Sequence, residues 1–151
     1  MLRSELVLYK IYLSSASIPA DAKPLLLLSQ ATRYNLRMTT LYHNPKCSKS
    51  RQTLALLREH GIEPTIIEYL KTPPDEKTLL HILTLLGRAP RELMRRKEAA
   101  FSEQQLDDPS LNSQTLIAAM VTHPILIERP IVMHNNKAAV GRPPENVLEI
   151  L

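Results

Sequence analysis

The chain has 151 residues, 44% of them hydrophobic and 23% charged, with one cysteine and a formal net charge of +4. That length suits one domain built around one hydrophobic core. A single cysteine excludes an internal disulfide framework, which fits a reducing compartment, and a cytoplasmic location is expected.

The charge is unevenly placed. Residues 1–37 hold five basic residues (Arg3, Lys10, Lys23, Arg33, Arg37) and two acidic ones (Glu5, Asp21), so the remainder is nearly neutral. It has no like-charge run and few aromatics for base stacking, so no nucleic-acid partner is expected. In residues 1–37 the apolar runs are short and Lys10 interrupts the first of them. None approaches the ~18 apolar residues of a membrane helix, and the pattern is not that of a signal peptide. This stretch reads as a dispensable extension. Met38 opens a well-patterned segment that could be the true translation start, giving a domain over 38–151.

Thr39 to Tyr42 reads as a first strand. A polar turn follows, and then a helix from about Ser50 to His60 with Gly61 as its stop. Pro64 to Leu70 is rich in β-branched and aromatic residues and reads as a second strand, which makes a βαβ unit with a parallel pair. Thr72 or Asp75 caps the next helix, whose apolar stripe (Leu79, Leu80, Ile82, Leu83, Leu86) runs to Gly87. Arg91 to about Lys97 reads as another helical piece, Glu103 to Leu106 as a short turn, and Ser113 to Val121 as a further helix. Pro124 to Glu128 reads as a return to extended chain. Ile131 to His134 and Lys137 to Val140 form a hairpin across Asn135-Asn136, since asparagine tolerates positive φ. Pro144 to Leu151 reads as a terminal helix.

The chemistry centres on the turn Tyr42-His43-Asn44-Pro45-Lys46-Cys47-Ser48-Lys49-Ser50-Arg51. A cysteine where a strand gives way to a helix meets the free N–H groups of the first helical turn. Those groups and the helix dipole favour thiolate over thiol, and thiolate is the reactive form. His43, four residues earlier, is placed to add positive charge or a hydrogen bond. A lone cysteine is often only a small buried hydrophobe. This one stands in a cationic, polar loop, a poor place to bury a thiol.

Three arginines sit beside structure-breaking residues: Arg129 before Pro130, Arg142 before Pro143-Pro144, and Arg95 beside Arg96. Guanidinium groups bind oxyanions through paired N–H donors and keep their charge at any working pH. Singly, each would pass for a solvated surface charge. Together they offer what a thiolate needs to approach an anion.

The stretch His43-Asn44-Pro45-x-Cys47 followed by Ser50-Arg51 resembles the active-site turn of the glutaredoxin-dependent arsenate reductases. So do Pro64 to Leu70, His123 to Val132, and Gly141-Arg142-Pro143-Pro144-Glu145. The resemblance runs from about Thr39 to Leu151 and is closest to a shorter subgroup. It implies a thioredoxin-like, glutaredoxin-like mixed sheet flanked by helices, with a helical insertion between strands 2 and 3. It implies that Cys47 attacks arsenate, that glutathione adds as co-substrate, and that glutaredoxin reduces the mixed disulfide as arsenite leaves. It places Cys47 and His43 as catalytic residues and Arg95, Arg129, Arg142, Asn44 and Ser50 around the oxyanion, with the choice between Arg95 and Arg96 open. It makes Pro130 a cis-proline facing the cysteine. No metal, resident cofactor or membrane partner is expected, and the protein is expected to be a monomer. One cysteine cannot resolve its own adduct, so redox turnover requires a thiol from outside.

Other readings are disfavoured by particular residues. Spx-like regulators that bind RNA polymerase carry a Cys-x-x-Cys switch, whereas the fourth position here is Ser50. A phosphatase-like reductase needs an arginine six residues after the cysteine, where this chain has Thr53. A thiol oxidoreductase of the same fold with another substrate remains an alternative. For zinc, His43 and Cys47 are two ligands where a structural site needs four.

Overall fold

The computed structural model describes residues 38–151. The expectations for residues 1–37 lie outside the described residues. Four strands form one mixed sheet: β1 (Thr39–His43), β2 (Thr65–Glu68), β3 (Ile131–His134) and β4 (Lys137–Val140), in the spatial order β2-β1-β3-β4. β1 pairs parallel with β2 and antiparallel with β3, and β3 pairs antiparallel with β4. The parallel crossover is made by α1 (Ser48–Glu59). The segment between β2 and β3 carries α2 (Glu76–Leu86), α3 (Pro90–Leu93), α4 (Ala99–Glu103) and α5 (Ser113–Thr122), and a 3-10 turn at Pro124–Leu126. This is the thioredoxin-like order with a helical insertion between strands 2 and 3.

Strand alternation divides the core into two layers. Successive side chains leave a strand on opposite faces. Leu41 and Val132 pack with Leu57 of α1 and Val147 of the C-terminal 3-10 helix (Pro144–Ile150). Tyr42, Ile131 and Val140 face the other way, onto Leu79, Ile82 and Leu83 of α2 and Leu116, Ile117 and Met120 of α5. Leu41, Leu57, Val132 and Val147 are each fully buried. β1 is therefore covered on both faces, and its C-terminal end is a fixed platform for the loop that follows.

The caps follow the expected chemistry. The Asp75 carboxylate accepts from the Thr78 N–H at 2.8 Å, so Asp75 rather than Thr72 opens α2. At the end of α1, Gly61 takes φ +74°, and its N–H and that of Ile62 close onto the carbonyls of Arg58 and Leu57 at 2.9 Å. Glycine, with no Cβ, enters that conformation at no steric cost. Asn135 and Asn136 turn the hairpin with φ of 48° and 60°.

Four expectations are corrected. β2 stops at Glu68, where Lys71 and Thr72 turn back to bond the Glu68 carbonyl, so Tyr69 and Leu70 leave the strand. Helix after Gly87 ends at Leu93: the Arg95 N–H bonds the Leu126 carbonyl at 2.7 Å, which holds Arg95 extended. Pro124–Leu126 is a 3-10 turn, and only Ile127 pairs, in a single bridge with Met94. The C-terminal segment winds as a 3-10 helix in place of an α-helix, with Pro144 at its start. The turn expected at Glu103 to Leu106 is present, at residues 104–107, and it follows directly on α4, a short helix that was not expected. Among the described residues no helix is long and apolar enough to cross a membrane.

Candidate active site

Cys47 is itself the N-cap of α1, with φ −91° and ψ 122°. The turn leading to it is closed by its own hydrogen bonds. The Asn44 side-chain oxygen accepts from the Lys46 N–H at 2.9 Å, and the Asn44 carbonyl accepts from the Cys47 N–H at 2.9 Å. The Ser50 hydroxyl, fully buried, accepts from the Asn44 N–H at 3.2 Å. Arg51 reaches back to the Pro45 carbonyl at 2.8 Å. Asn44 and Ser50 thus spend these contacts on the backbone of the loop and fix where the sulfur sits.

The first turn of α1 contains no acidic residue. Its positive end faces the half-buried Cys47 sulfur. Burial alone would raise the thiol pKa. The Ser50 N–H, the Arg129 guanidinium and the Lys49 N–H outweigh it, and the pKa lies below its ordinary value.

Two of the expected arginines meet at this sulfur. Arg142 brings Nη2 to 3.9 Å from Cys47 Sγ. Its Nε donates to the Arg129 carbonyl at 3.0 Å and pairs with the Glu128 carboxylate at 3.0 Å. Arg129 acts on Cys47 as a hydrogen-bond donor and as a neighbouring charge, while its Nε and Nη1 are buried without a hydrogen-bond partner. Arg95 joins the cluster from the insertion. It pairs with Glu98, and its Nε lies 3.8 Å from Glu128. Arg96 is exposed, so Arg95 is the member of the tandem pair turned toward the cluster. Glu128 therefore links Arg95 to Arg142.

His43 lies at the end of β1 and is 6% exposed. Burial lowers its pKa, with Glu68 opposing and Arg51 reinforcing the shift. It makes no hydrogen bond to Cys47, and its Nδ1 is buried and unpartnered. The lowered pKa works against a positive charge on His43, whereas α1 and Arg129 favour the thiolate directly.

The Arg129-Pro130 peptide bond is cis, as the resemblance implied, and so is Arg142-Pro143. Gly141 separates the two regions. A Cβ there would come within 2.5 Å of Thr53 Oγ1 and 2.9 Å of Pro130 Cγ. Its N–H donates to the Pro130 carbonyl at 2.9 Å. Arg142 can stand beside Cys47 because the chain just before it has no side chain.

Sequence reasoning missed three participants. Glu128 was placed in an extended segment with no role, although it directly precedes Arg129. Glu98 was not singled out. Tyr69 was assigned to a strand; its ring is buried in the core and its hydroxyl is unpartnered. Among the described residues no group of three or more metal-ligating side chains gathers.

Residues 42–150 match the model of the ArsC family. An arsenate reductase of Neisseria meningitidis is 49% identical over 112 residues, covering 74% of this chain and 96% of that protein. The Escherichia coli K12 protein YfgD, described as uncharacterized, is 54% identical over 116 residues, covering 76% and 98%. The solved structure of an arsenate reductase from Vibrio cholerae superposes with a TM-score of 0.75 at 52% identity, covering 78% of this chain and all of that one. A cysteine capping a helix beneath clustered arginines thus lies wholly within the matched region, and the chain belongs to the ArsC family.

Proposed function

We propose that the protein is an oxidoreductase that reduces arsenate to arsenite. The observation that carries this reading is the Cys47 sulfur, held at the N-terminus of α1 beside Arg142 and Arg129, whose Nε and Nη1 lack a partner. Buried donors without acceptors are costly, and a tetrahedral oxyanion satisfies them. The names borne by the Neisseria and Vibrio relatives support arsenate as that anion.

In the proposed mechanism Cys47 thiolate attacks arsenic, an S–As bond forms, and one arsenate oxygen leaves as water. The arginines offset the repulsion between thiolate and anion and hold the oxygens as charge moves onto them. Glutathione then attacks the Cys47 sulfur. Its sulfur bonds to that of Cys47, the S–As electron pair passes to arsenic, and arsenic(V) becomes arsenic(III). Arsenite departs. A glutaredoxin thiolate takes glutathione from the mixed disulfide and restores Cys47. The need for an outside thiol rests on the chain's single cysteine. Asn44 and Ser50 act by fixing the loop, and Arg95 acts through Glu128 and at the rim of the anion site.

The test is arsenite formation from arsenate with glutathione and glutaredoxin, each omitted in turn. Turnover should require both. Formation that is indifferent to glutaredoxin would overturn that half of the mechanism.

A further inference from the structure

The floor of this site contains one more polar group than the arginines account for. Tyr69 follows β2 directly, is 1% exposed, and packs its ring in the core layer with Tyr42, Leu93 and Ile127. Its hydroxyl finds no acceptor: the group nearest it is the Arg129 guanidinium, which can only donate. Arg129 Nε and Nη1 likewise find no acceptor. The hydroxyl and the guanidinium are neighbours, and the hydroxyl also feels the charges of Arg95 and Cys47. Unpartnered donors from Tyr69 and Arg129 therefore lie together beside the nucleophile, each buried too deeply for bulk water to satisfy. Buried polar groups are almost always paired, so a cluster left open marks the seat of a ligand that supplies acceptors.

We propose that the Tyr69 hydroxyl is an oxyanion-binding donor, which together with Arg129 holds an oxygen of the tetrahedral anion facing Cys47. This rests on the oxyanion reading of the site given above. A phenol suits the position for a physical reason. Burial raises its pKa, so it stays protonated and donates where a carboxyl or second thiol would ionise and repel the anion. Its ring is fixed by core packing, so the donor is already oriented before the anion arrives. It adds a neutral hydrogen bond of fixed direction to a site otherwise built from charged side chains, and so favours anions whose oxygens reach its depth.

The experiment uses the full chain and Tyr69→Phe. Cys47 is alkylated with iodoacetamide at graded pH, with and without sulfate, a tetrahedral anion that cannot be reduced here, and in parallel with arsenate. In Tyr69→Phe the anion concentration that half-protects Cys47 should rise about 10- to 100-fold. The pH midpoint of alkylation without anion should stay where it is in the parent, because a phenol that remains neutral contributes no charge to the thiolate. The urea midpoint should fall by no more than one neutral hydrogen bond accounts for, because the hydroxyl's one polar neighbour in the fold is the Arg129 guanidinium. Equal protection of parent and variant overturns the role of Tyr69 and leaves the oxyanion reading intact. Failure of either anion to protect even the parent overturns both. A variant that unfolds would show that the hydroxyl has an internal acceptor, which also overturns the proposal.

Discussion

At the scale of single residues, the activation of Cys47 divides into two sources. The first-turn N–H groups of Lys49 and Ser50 belong to the backbone and cannot be removed by side-chain substitution. The guanidinium of Arg129 can. Arg129→Ala should raise the pH midpoint of Cys47 alkylation toward the ordinary thiol value near 8.5 and weaken oxyanion binding by about 1.5–3 kcal/mol. Arg142→Ala should weaken binding less, because its side chain is 42% exposed and screened by water. Anion-protection titrations of the two variants check the ranking; a larger loss in Arg142→Ala would reverse the roles given to them. The position of His43 in the chain suggested a positive charge or a hydrogen bond to the sulfur; burial lowers its pKa, and it makes no hydrogen bond to Cys47. His43→Ala should move the alkylation midpoint less than Arg129→Ala does. The cysteine and the arginines were legible because their neighbours are unusual: a cationic loop, and prolines after Arg129 and Arg142. Tyr69 and Glu128 were not legible, because an aromatic at a strand end and a carboxylate beside an arginine look the same whether they face a site or solvent.

At the scale of elements, the site depends on how closely β4 can pass α1. Gly141 and Thr53 make that contact, with no room for a methyl group. Gly141→Ala should destabilise the fold by about 1–3 kcal/mol through overpacking, read as a lower urea midpoint. It should also push Arg142 away from Cys47 and raise the anion concentration needed for protection. A Gly141→Ala protein of unchanged stability would show that Thr53 and Pro130 yield easily, and the tight passage would then not be what sets Arg142. Regular elements were well read where periodicity and caps agreed, as in α1 with Gly61 and α2 with Asp75 and Gly87. The segments around Arg95 and Leu126 were misread for one shared reason. They bond each other, Arg95 N–H to Leu126 carbonyl and Glu128 N–H to Leu93 carbonyl. A pairing between residues about 30 positions apart leaves no local signal, and it is this pairing that carries Arg95 to Glu128.

At the scale of the whole molecule, two expectations follow from burial and from the extent of the family match. His43 and His134 both have pKa values lowered by burial. On unfolding each regains its ordinary value near 6.5 and takes up a proton below it. Their contribution to stability is therefore complete above about pH 6.5 and falls as the pH drops through that region. Thermal unfolding followed from pH 7.5 to 5.5 should show a falling midpoint, and the slope should flatten in His43→Asn. A midpoint constant across that range would contradict the lowered pKa of His43. The relatives match over about three quarters of this chain and nearly their own full length. A chain beginning at Met38 should accordingly retain arsenate reduction, and loss of activity on removal of residues 1–37 would refute their dispensability.

The central claim is tested most directly by measuring arsenite produced from arsenate, in the presence of glutathione and glutaredoxin, by the parent chain and by Cys47→Ser. The account predicts steady arsenite formation by the parent and none above background by the serine variant, which keeps the loop and loses the sulfur. Equal rates for the two proteins, or no arsenite from the parent, would contradict it.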